Sequence, residues 1–192
     1  MTTNELLKTA ISVTQNNIDK ANQLVKDLKE EQILWRPSEG TWNVQEILAH
    51  MNEFARFYHP TFTKKIEVTR FTSTKEAFIS SPLGKSAWKS MKLGRVNNVK
   101  RKFKAAKGNN PLNHPSIIFG DELDRFVKHQ NRLLEIIEEA SKVNMRRVKI
   151  PISISKIIRL RLGDALLFVV YHNERHVQQI SNLTNNKNFP KS

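Results

Sequence analysis

The chain has 192 residues, 39% of them hydrophobic, and contains no cysteine. That length fits one domain, residues 1–192, around a single core, and the missing thiols exclude disulfides, thiolate metal sites and a cysteine nucleophile. The formal charge is +14, and the excess sits in residues 77–120 and 140–163, which hold basic residues and no acid; such segments attract nucleic acid, acidic surfaces or small anions.

Apolar positions recur at helical spacing in four stretches. The first runs from about Asn4 to Leu28, with Leu6, Leu7, Ala10, Ile11, Val13, Ile18, Ala21, Leu24, Val25 and Leu28 as its apolar positions. Residues 31–41, which include Trp35-Arg36-Pro37 and Gly40, read as an extended link, because the proline biases its predecessor away from helix. Asn43 and Glu46 have the spacing of a capping box for the second helix, and Trp42 and Ile47 that of a hydrophobic staple. This assignment makes Glu46 a cap rather than a general base. Pro60 is expected to end or kink that helix.

Residues 71–115 are punctuated by prolines and glycines. A connection this long requires some structure of its own, and a short helix between Ser86 and Ala106 is expected. A third long helix follows from about Ser116 to Val143. Residues 150–154, Ile-Pro-Ile-Ser-Ile, alternate as in an extended strand, although no partner strand stands out. The last helix spans about Gly163 to Thr184, with Asp164 as its expected cap. Four amphipathic helices make the fold class all-α: a four-helix bundle with a long basic insert between its second and third helices.

The chemistry concentrates in histidines. His172 and His176 are four residues apart on the last helix and so project from one face, about a turn apart. They lie in or beside its apolar stripe, where a lone polar group is costly without a partner. His50 flanks the apolar face of the second helix. If those helices are neighbours, three neutral imidazoles can surround a divalent ion and leave a position open, as in catalytic metal sites. Imidazole suits zinc and nickel alike. The alternative is a pair of core histidines bonded to backbone or water. Gln179, three residues after His176 and turned toward His172, could bond a ligand imidazole or the water on the metal. His59, His114 and His129 lack partner spacing and read as surface or loop residues.

The lead-in Trp35-Arg36-Pro37 … Gly40-Thr41-Trp42, the run Ile47-Leu48-Ala49-His50 and the late His172-Asn173-Glu174-Arg175-His176-Val177-Gln178-Gln179-Ile180 together resemble the DinB/YfiT-like superfamily. The resemblance implies an up-down-down-up four-helix bundle, often a homodimer, with His50, His172 and His176 binding a divalent metal. It also implies activation of a low-molecular-weight thiol, as in S-transferases and thiol-dependent isomerases, or metal-dependent hydrolysis as the alternative. The substrate expected is a small molecule, such as an anionic thiol, which must come from outside this cysteine-free chain.

A rival reading makes the protein a non-catalytic nucleic-acid-binding or stress-response interaction protein. Lys100-Arg101-Lys102-Phe103-Lys104 and Lys107 would contact phosphate, and Trp88 and Phe103 would stack on bases. That segment matches no nucleic-acid motif, and a solvated basic loop is the expected state. The longest apolar run, Ala165 to Tyr171, is too short to span a bilayer, and the first residues do not resemble a signal peptide. A cytoplasmic protein without a membrane partner is expected.

Overall fold

The computed structural model describes residues 1–94 and 110–191. Its first helix, α1 (Thr3–Val25), opens on a capping box in which the Thr2 hydroxyl accepts from the Glu5 N–H and the Glu5 carboxylate accepts from the Thr2 N–H. Of its apolar positions Leu6, Ala10, Ile18, Ala21 and Val25 are buried, joined by Thr14 and Asn17, whereas Ile11 is exposed. Within the link expected to be extended lies a short helix, α2 (Glu30–Leu34). Lys29 opens it in extended conformation and Trp35 closes it, so the influence of Pro37 reaches back only to the residues that immediately precede it.

Helix α3 (Val44–Glu67) starts at the Asn43/Glu46 capping box, with the Asn43 N–H donating to Glu46 Oε2 at 2.9 Å and the Glu46 N–H to Asn43 Oδ1 at 2.8 Å. Pro60 does not end it. The carbonyl that loses its donor belongs to Arg56, and both residues are exposed, so water can satisfy that oxygen and continuation becomes cheap.

Helix α4 (Pro82–Met91) lies inside the basic connection and starts four residues before the expected window. Ser81 caps it and Pro82 occupies its first turn, a position where the fixed φ and missing N–H of proline are no handicap. A single 3-10 turn, Pro115–Ile117, precedes α5 (Glu122–Ala140). The expected start at Ser116 is too early because Gly120, at φ 99°, interrupts the chain first. The lysine and arginine run at residues 100–107, with Phe103, lies outside the described residues.

The all-α expectation needs one correction. Strands β1 (Lys149–Ile152) and β2 (Ser155–Arg161) form an antiparallel hairpin. Its inner face is fixed by the Ile150–Leu160 pair, at 0% and 2% exposure. The register slips between Pro151 and Ile152, so β2 has no clean alternation for a sequence pattern to detect.

Helix α6 (Leu162–Thr184) follows directly from β2. Asp164 is not its cap, which is Arg161. The Asp164 carboxylate is buried and accepts from the Ser81 N–H at 3.0 Å and the Ser81 hydroxyl at 3.2 Å, binding α4 to the first turn of α6.

The four long helices form a ring. Both α1 and α3 pack against α5 and α6, which places α1 and α3 on one diagonal and α5 and α6 on the other. The buried apolar residues fall into two clusters. One contains Phe54, Tyr58, Leu166, Val169 and Val170; the other contains Val44, Ile47, Leu48, Met51, Val177 and Ile180. Among the described residues no helix is long and apolar enough to cross a membrane.

Candidate metal centre

On α3 and α6 the two clusters meet at the histidines. His50 follows Leu48 of one cluster and precedes Phe54 of the other, while His172 and His176 fall between Val170 and Val177. Packing α3 against α6 therefore brings all three rings together at the seam. One nitrogen of each lies within 4.8 Å of the other two, and His50 Nε2 is 3.3 Å from His172 Nε2. The ring centroids are 4.6 Å apart for His172–His176, 4.8 Å for His50–His176 and 5.2 Å for His50–His172.

Burial keeps two of these rings, His172 and His176, neutral. It pushes the basicity of His172 and His176 well below the usual histidine range, and in both the charge that His50 would carry adds to the effect. Arg175, between them on α6, acts in the same direction. Neutral imidazoles keep the lone pairs that coordination needs. The His176 Nδ1–H donates to Gln179 Oε1 at 3.0 Å (the tautomer that leaves Nε2 as the free base). His172 lies face to face with Phe54, with centroids 3.8 Å apart and planes at 11°. Three convergent nitrogen donors, at least two held neutral, fit a divalent ion of the zinc or nickel type.

The indole of Trp42 packs over this group, 4.8 Å from the His50 ring and stacked 6.0 Å from that of His176. Its Nε1–H donates to Asn110 Oδ1 at 3.1 Å. The sequence places Trp42 at a helix start and suggests a staple. It gives no sign that the ring reaches the histidines, because Trp42 precedes the helix and helical periodicity does not extend to it. Phe54 is visible one turn beyond His50, but only as a core residue.

Glu46 has both carboxylate oxygens engaged, Oε2 in the capping box and Oε1 with Arg36 Nη2 at 3.0 Å. This arrangement supports the capping role over a general base. Trp88 is 9% exposed, donates to Ser80 Oγ and lies 6.0 Å from the Tyr171 ring, so it cannot stack on bases.

His59 overturns its surface assignment: it is 5% exposed and neither ring nitrogen has a hydrogen-bond partner. Burial, then the charges of His129 and Arg132, lowers its pKa to about 3. The one signal for it in the sequence is that His59 lies one turn after Ala55 on the apolar side of α3; α5 supplies the covering residues, with the His129 ring 5.5 Å away.

A helical bundle with a histidine triad, two of its rings buried and the third partly so, between two of its helices defines the class. The family model of the DinB superfamily matches residues 14–180, and the chain belongs to that family. The solved structure of YfiT from Bacillus subtilis is similar at 15% identity and a TM-score of 0.56, over 92% of this chain and 85% of that one. YfiT is described as a probable metal-dependent hydrolase with an unusual four-helix bundle topology; the likeness is one of fold. No curated protein matches this sequence.

Proposed function

We propose that this protein is a metal-dependent enzyme in which His50, His172 and His176 hold one divalent ion, zinc or nickel. The observation that carries the reading is the convergence of three ring nitrogens within 4.8 Å at a buried seam. A divalent ion supplies Lewis acidity there, making water or a thiol nucleophilic near neutral pH. The chain's own residues do the rest. Gln179 fixes the His176 tautomer, Phe54 orients the His172 ring, Trp42 limits water access, and Arg175 adds positive charge that favours an anionic substrate.

Two reactions fit this arrangement. The resemblance to thiol-using relatives supports transfer to or from a low-molecular-weight thiol supplied from outside. The description of YfiT supports hydrolysis as the second reading. The family resemblance supports an up-down-down-up course of the helices and a homodimer.

Elemental analysis of purified protein, with the His172→Ala variant alongside, tests the metal. One equivalent is expected in the wild type and less than a tenth of one in the variant. Equal metal in both, or none after incubation with zinc and nickel, rejects the centre. Turnover of thiol adducts against esters and amides then separates the two reactions.

A further inference from the structure

The β1–β2 hairpin carries the two most exposed large apolar side chains among the described residues, Ile157 at 89% and Ile154 at 73%, and Ile158 beside them is 41% exposed. Their exposure is built in. Ile154 lies in the turn between the strands, and because Pro151 pairs with Arg159 and Ile152 with Ser155, Ile157 and Ile158 fall at the irregularity in β2, where a bulge re-aims side chains. Single exposed apolar residues need no explanation, but three at one ribbon tip form a patch.

The base of the same ribbon is cationic. Lys149 stands directly opposite Arg161, and Arg159 opposite Pro151, so one face gathers three positive groups. Like charges directly opposite on paired strands repel, and residues 140–163 contain no acid to relieve them. The Arg161 guanidinium also donates to the Ile79 carbonyl, which fixes the ribbon's base against the segment before α4. Ile79 is itself 53% exposed.

An apolar tip above a cationic collar matches a surface that is anionic outside and hydrocarbon within. We propose that the hairpin docks this protein on anionic phospholipid bilayers, with Ile154 and Ile157 entering the interface and the exposed Lys149 and Arg159 meeting the lipid phosphates. The two alternatives fit less well. Nucleic acid is gripped by rings that stack on bases, and the tip is aliphatic. A second copy of the chain would set cation against cation. Surface docking of this kind needs no spanning helix.

The test is co-sedimentation of the full chain with phosphatidylcholine vesicles and with vesicles containing 30% phosphatidylserine, at low and physiological salt. Binding is expected only to the anionic vesicles and should weaken as salt rises. The Ile154→Asp/Ile157→Asp variant should bind at least tenfold more weakly, since each isoleucine side chain moved out of water is worth about a tenfold change in partition or more. Circular dichroism checks its fold, and Ile154→Ser/Ile157→Ser serves if the aspartates disturb it. Failure to bind anionic vesicles overturns the proposal, as does wild-type binding by the isoleucine variants. Tighter binding to a DNA duplex than to vesicles, or a dimer that the variants dissolve, equally overturns it.

Discussion

The imidazole of His172 lies flat on the ring of Phe54, with centroids 3.8 Å apart and planes 11° from parallel. This stack fixes the plane of a candidate ligand from the apolar side, without any hydrogen bond. Aromatic pairs of this kind are worth about 0.5–1.5 kcal/mol beyond their burial. Phe54→Leu keeps most of the apolar volume and loses the stack. It should weaken zinc or nickel binding several-fold in a competition titration against a chromophoric chelator. Unchanged affinity would show that the ring plane is set by something else.

Gln179 holds His176 from the opposite side, accepting the Nδ1–H at 3.0 Å. Partners that orient a ligand histidine typically contribute 10–100-fold in metal affinity. Gln179→Leu should lose about that much in the same titration. Gln179→Glu retains the acceptor and should recover most of it. If both variants bind like wild type, the glutamine is a bystander.

His59 makes an acid-sensitive contribution to stability that is separate from the triad. Its pKa in the folded protein is about 3, against an ordinary histidine value of 6.5, so the unfolded chain takes up the proton first as pH falls. Stability is complete above about pH 6.5 and declines from there toward pH 3. By pH 5 the loss is about 2 kcal/mol. Urea denaturation at pH 7.5 and pH 5.0 should therefore show His59→Phe losing about 2 kcal/mol less than wild type over that interval. The other histidines titrate in both proteins, so the difference isolates this residue.

Gly84 lies where α4 meets α6. A Cβ there would stand 2.6 Å from Asp164 Cβ and closer still to the Asp164 carboxylate, so the two side chains could not both keep their places. Gly84→Ala should cost about 1–3 kcal/mol, read as a fall in the denaturation midpoint. In an Asp164→Gly background both the Cβ and the carboxylate are gone, and the same substitution should cost markedly less. Additive costs would count against this contact.

The parts legible in the sequence are those written in local spacing. The Asn43/Glu46 capping box, the stripe of α1 and the i,i+4 histidines of α6 each follow from residues a turn apart. His50 joins the pair because its place on α3 is readable and only one neighbour relation has to be supplied. The misses depend on packing between distant segments. Asp164 has the position of a cap, but Ser81 claims its carboxylate; His59 has no partner at ligand spacing, yet it lies one turn after Ala55 on the buried side of α3, and α5 covers it. Trp42 needs the loop at Asn110 to hold its indole over the rings. The extended run at 150–154 is legible, but its partner β2 escapes detection because the bulge removes the alternation that marks a strand.

Residues 50 and 172 stand 122 positions apart, yet their ring nitrogens meet. An ion captured between them clasps the early and late parts of the polypeptide to each other. A ligand that binds only the native state at a hundredfold excess over its Kd adds about 2.7 kcal/mol of stability, a sizeable share of what a domain this size possesses. Abundance of the intact protein would then rise and fall with the supply of that ion, making metal starvation a route to its turnover as well as to its inactivity.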